Sequence, residues 1–220
     1  MGTREKFDED INEVYRMLGE MRDLAIDSIN SAMDALEKLE EDAAKVALRN
    51  DVKSYDLMRS IENKCTALLM LQAPVAKDLR KIVTAMKSSG DLNRIIRYAR
   101  NISKLAIEMV KEKDGHFKKL IGLEGMKNKS IDMIEKAMKA LLEENKNLAL
   151  EVYREEEDVD ALYEQIFREL ITYMVEDNRK ITRGVRYLLA GRYLERVADH
   201  TCNIAEGAIY TSTGERIAPD

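Results

Sequence analysis

The chain matches itself. Sliding the 220-residue sequence by 102 positions, without a gap, sets Ser28 on Ser130, Ile29 on Ile131, Ala35 on Ala137, Ala47 on Ala149, Asp56 on Asp158 and Glu62 on Glu164. The register persists further along, with Val83 on Val185, Leu92 on Leu194, Arg94 on Arg196, Asn101 on Asn203, Ile102 on Ile204 and Ala106 on Ala208. An ungapped match of this length is the mark of an internal duplication. It limits the fold to two copies of one structural unit, so whatever the first half folds into, the second must repeat.

The unit is helical. Val14, Leu18, Met21, Ala25, Ser28, Ala32, Ala35 and Leu39 alternate steps of four and three, a heptad seam whose small residues admit a close neighbouring helix. A second helix is expected over residues 41 to 71, with Leu57, Ile61, Leu68 and Leu71 facing inward. Proline is tolerated in a helix's first turn, so Pro74 is expected to open a third helix reaching about Lys111. Gly115 and its polar neighbours make the longest break. The second unit is then expected to hold helices near 119 to 145, 147 to 177 and 179 to 212. The reading is an all-α chain of two antiparallel three-helix bundles, one over residues 1 to 112 and one over 119 to 213.

Charge and composition exclude several roles. The 41 acidic and 36 basic residues are interspersed, leaving no basic footprint for nucleic acid. No apolar run approaches the roughly 18 residues that would span a bilayer, and the polar, acidic N-terminus is not a secretion signal, so a cytoplasmic location is expected, with membrane contact only through partners. Cys65 and Cys202 make no CxxC pair and fit buried, reduced thiols. Met17, Met21, Met58, Met70, Met86, Met133 and Met138 read as core. No nucleophile elbow, phosphate-binding loop or zinc spacing is present, and catalysis is not expected.

The pattern with chemical content is in the last helix, where Glu195, Asp199 and Asn203 recur every fourth residue. Two carboxylates so placed repel, and a hard cation relieves that repulsion; Asp132, Asp158, Asp160, Glu164 and Asp177 are candidates to complete an oxygen-ligand site. The alternative is a surface ion-pair ladder, Arg192 to Glu195 and Arg196 to Asp199, of small energetic value. His200 and His116 lack the Glu-x-x-His partners of a di-iron centre, since Val197 and Lys113 stand three residues before them. His116, in the polar break, is expected to be solvated. Arg94, Arg97 and Arg100 read as a solvated helix side or as a dock for an acidic partner.

Leu170-Ile171-Thr172-Tyr173-Met174-Val175-Glu176-Asp177, then Arg192-Tyr193-Leu194-Glu195-Arg196-Val197-Ala198-Asp199-His200 and Asn203-Ile204-Ala205-Glu206, together resemble the signature of the PhoU family; Gln72-Ala73-Pro74-Val75-Ala76-Lys77-Asp78-Leu79-Arg80 resembles the corresponding segment of that family's first repeat. The resemblance implies two three-helix bundles and a cytoplasmic regulator that binds the phosphate ABC transporter and its sensor kinase, damping the phosphate-starvation response. Some members carry iron or another metal on an E-x-x-x-D motif in each repeat, which implies Glu195 and Asp199 as ligands here. In the first repeat that motif reads Asn93 and Arg97, and no metal is expected there because a guanidinium repels cations. A metal-storage or redox protein is the alternative. Spare apolar surface on six amphipathic helices makes a homodimer the expected assembly.

Overall fold

The computed structural model describes residues 3–72, 74, 76–113 and 115–216. Among them are six α-helices, α1 (Thr3–Lys38), α2 (Glu41–Gln72), α3 (Lys77–Glu112), α4 (Ile121–Glu143), α5 (Lys146–Glu176) and α6 (Ile181–Thr213), with one 3-10 turn, Asn178–Lys180, before α6. No strand occurs among the described residues. Helices α1 to α3 pack as one antiparallel bundle and α4 to α6 as the other.

The heptad seam forms the spine of α1. Val14, Leu18, Met21, Ala25, Ser28, Ala32 and Ala35 are fully buried. The helix also begins well before that seam, because Phe7 and Ile11 carry the four-and-three spacing backward and are themselves buried. Pro74 does not open α3. It lies in the connection, and α3 starts at Lys77 after Ala76 turns the chain at a φ of 44°, a left-handed angle that no helix can pass through. Leu71 and Met70 are correspondingly displaced from the core, 82% and 79% exposed, where the sequence reading placed them inside. Leu57, Met58 and Met86 are half-buried against the core, while Ile61, Leu68, Met17, Met133 and Met138 belong to it.

The duplication is visible atom by atom. Ser28 and Ser130 are both fully buried, and each donates its hydroxyl back one turn, to the Leu24 carbonyl at 2.5 Å and the Met126 carbonyl at 2.8 Å. A buried hydroxyl must find such an acceptor. Leu92 and Leu194, Ile102 and Ile204, and Ala106 and Ala208 are matched pairs of fully buried residues.

The two bundles share one core along α3 and α6, the most extensive helix pair. At one end Gly207 admits Thr84 so closely that a Cβ there would lie 2.7 Å from the threonine methyl. Thr211 donates to the Thr84 hydroxyl at 3.0 Å, and both are buried. At the other end Arg186 pairs with Glu112, holding that carboxylate below its ordinary pKa, while Arg183 is buried and donates to the Met109 carbonyl at 3.4 Å.

Candidate functional site: the acidic face of α5 and α6

Helices α5 and α6 turn back on each other at Asp177, which accepts from the Arg179 backbone at 3.1 Å and caps the short 3-10 turn. Their seam is set by two glycines on α6. A Cβ on Gly184 would meet Met174 at 2.9 Å, and one on Gly191 would meet the Tyr163 ring at 3.0 Å. This close approach faces Glu195 and Asp199 of α6 with Glu156 and Asp160 of α5. The carboxylates share a partly desolvated region and repel one another. Burial is the larger cause, raising Glu195, Asp160 and Glu156 above their ordinary pKa values; Asp199 adds to all three, and Arg192 opposes the shift at Glu195 and Asp160.

Of the candidates named from sequence, Asp160 joins Glu195 and Asp199. The others lie in separate ion pairs: Asp158 accepts from Lys129 at 2.7 Å, Asp132 from Lys136 at 2.8 Å, Glu164 from Arg168 at 2.9 Å, and Asp177 from Arg179 at 3.0 Å. Glu156 was missed. Its signal was present, since Glu156 and Asp160 repeat on α5 the E-x-x-x-D spacing of Glu195 and Asp199. The anticipated ladder exists as well, Arg192 bonding Glu195 and Arg196 bonding Asp199 at 3.0 Å. One atom is left over: Glu195 Oε2 is buried with no hydrogen-bond partner. Among the described residues no three His, Cys, Asp or Glu side chains converge closely enough to hold a metal ion as they stand.

The 102-residue shift places Ser54, Met58, Asn93 and Arg97 where the second bundle has Glu156, Asp160, Glu195 and Asp199. Asn93 is buried and its amide nitrogen has no partner, so the first bundle presents a donor where the second presents an acceptor. Arg100 pairs with Asp51 at 2.8 Å, whereas Arg94 opens onto an inter-bundle cleft of about 420 Å³. That cleft sets Lys87, Arg94 and Arg216 beside Asp91 and Glu206, so both signs of charge line it.

Both histidines join the bundles. His200 Nδ1 lies 2.8 Å from Asp91 on α3, away from the carboxylate cluster, and its ring lies beside Tyr98. His116 is not solvated. Its Nε2 donates to the Glu37 carbonyl at 2.9 Å, and its Nδ1 lies 2.7 Å from the buried Tyr187 hydroxyl. Cys65 and Cys202 are free thiols, pushed up to about 12 chiefly by burial, and so stay protonated.

A family model for the PhoU domain matches the chain twice, over residues 18–106 and 123–208. The chain belongs to the PhoU family. The phosphate-specific transport system accessory protein PhoU homolog of Clostridium acetobutylicum is 38% identical over 216 residues, covering 98% of each chain. The homolog of Pseudomonas aeruginosa is 31% identical over 96% of this chain and 86% of its own. The crystal structure of PhoU from Pseudomonas aeruginosa superposes with a TM-score of 0.90 at 32% identity, over 95% of this chain and all of that one. The phosphate transport system regulatory protein PhoU from Streptococcus pneumoniae gives 0.87 at 25% identity, over 97% of this chain and all of that one.

Proposed function

We propose that the chain is an accessory regulator of phosphate uptake that works by binding: it engages components of the phosphate ABC transporter and a sensor kinase on the cytoplasmic side, and damps the phosphate-starvation response when phosphate is plentiful. The full-length likeness to proteins named as accessory or regulatory to phosphate transport carries this reading. The molecule's polar groups support it. The histidines cross-link the bundles, the thiols are protonated, and none of these is free to act as a nucleophile. No helix of the described residues is long and apolar enough to cross a membrane. The test is a host whose own family member is deleted and which carries a phosphate-starvation reporter. Expression of this chain is expected to restore repression in high phosphate; a reporter that stays induced would overturn the reading.

One observation favours a metal at the second bundle. The unpartnered Glu195 Oε2 is a hard oxygen donor buried beside Asp199, Asp160 and Glu156, the donor chemistry that suits iron or a divalent cation. Arg192 and Arg196 now hold the lone pairs such an ion would share. Glu195 and Asp199 would hold it, and the first bundle, with Asn93 and Arg97, would not. Metal analysis of untagged protein is expected to find metal that is lost in Glu195→Gln, Asp199→Asn; equal content in both forms rules the site out.

A further inference from the structure

Six large apolar side chains on the second bundle stay partly exposed. Phe167, Ile171 and Val175 follow one another every fourth residue at the end of α5, and Ile181, Val185 and Leu189 do the same at the start of α6; they are between 39% and 82% exposed. Because the helices reverse at Asp177, the two stripes run side by side. They flank the outer side of the Tyr163–Gly191 and Met174–Gly184 seam, while Ile166 and Leu170 occupy the side that packs on α4. Two antiparallel apolar ridges with a seam between them make the groove into which a further helix packs. Single exposed apolar residues mean little, but a contiguous set marks an interaction site.

The same face continues into the carboxylate cluster. Residues seven apart share a helix face, and Asp160 stands seven before Phe167, while Val185, Arg192 and Asp199 follow at sevens on α6. Along this face Arg168, Arg192 and Arg196 pair with Glu164, Glu195 and Asp199, which leaves the Glu156 and Asp160 carboxylates outside any ion pair among the described residues. We propose that this face docks an amphipathic helix of a partner protein, its apolar residues seated between the two stripes and its lysines or arginines set against Glu156 and Asp160. The charge decides between occupants. An anionic membrane is repelled by this cluster, and a second copy docked across a two-fold axis would bring the same acidic face to both sides. The first bundle breaks both stripes, since Phe167 and Leu189 correspond to the buried Cys65 and to Lys87, although Met70, Leu71 and Leu79 are exposed at its equivalent end.

The probe is a fluorescent, helix-forming peptide of roughly 20 residues with leucines on one face and lysines on the other, compared with its lysine-to-glutamate counterpart. The lysine peptide is expected to bind in a salt-dependent manner, and the glutamate peptide to bind at least about tenfold more weakly. Ile171→Glu with Val185→Glu, both at the surface, are expected to abolish binding while thermal unfolding by circular dichroism stays as in the parent chain. Asp160→Asn is expected to weaken the lysine peptide alone. Equal binding of the two peptides, or binding untouched by these variants, would overturn the proposal. So would a parent dimer that the double variant turns monomeric, or a loss of binding to anionic vesicles in that variant. The assay contains no transporter or kinase, so its failure and a failure of the regulatory reading are separate results.

Discussion

Single glycines decide how closely helices approach at the seams. Gly207→Ala places a methyl 2.7 Å from the Thr84 methyl, and Thr84 cannot rotate away because it is buried, β-branched and bonded to Thr211. We expect the variant to lose about 1–3 kcal/mol in chemical denaturation, the usual cost of overpacking. Gly184→Ala meets only the flexible Met174 and is expected to cost less. Asp160 is the opposite kind of residue, one that opposes folding. Its pKa is higher folded than unfolded, so between those two values the native state binds more protons, and stability falls as pH rises through that window. Asp160→Asn is therefore expected to raise the melting temperature at neutral pH, with the gain shrinking as pH drops through the carboxylate range. A gain independent of pH would show that the charge is not its cause.

At the scale of elements, spacing located the helices and missed their connections. The seam from Val14 to Ala35 identified α1, yet Pro74 was misassigned, because its compatibility with a first turn says nothing of the φ of Ala76 two residues later. The polar break at Gly115 read as solvated for a similar reason: its histidine finds its hydrogen-bond partners on α1 and α6, residues remote in sequence. His116→Ala removes one hydrogen-bond partner of the buried Tyr187 hydroxyl, which also bonds Arg183 and the Phe117 backbone and which burial has pushed up to about 12. The expected loss is about 1–3 kcal/mol, read by denaturant unfolding and by faster hydrogen exchange at the α3–α4 connection. His200 works across the other side of the junction, where Asp91 receives both His200 and Asn203, and so the motif histidine is a fastening between bundles.

In the whole molecule the repeat does not produce two independent folding units. One core runs through both bundles, and α3 and α6 bury their long faces on each other. Calorimetry is expected to show a single transition, coincident with loss of helical circular dichroism; two resolved transitions would mean that the junction is weaker than its packing implies. The sequence alone determined the periodicities: six amphipathic helices, their duplication by 102 positions, and the Glu195–Asp199 stripe with its Asn93–Arg97 counterpart. These are local facts, set by which residues share a helix face. Tertiary structure decided which faces meet. It brought Glu156 and Asp160 to Glu195 and Asp199, sent Asp132, Asp158 and Glu164 to lysines and arginines elsewhere, and left Phe167, Ile171, Val175 and their α6 neighbours uncovered. A helix's turn spacing records what lies along its own surface, and only packing selects what stands opposite.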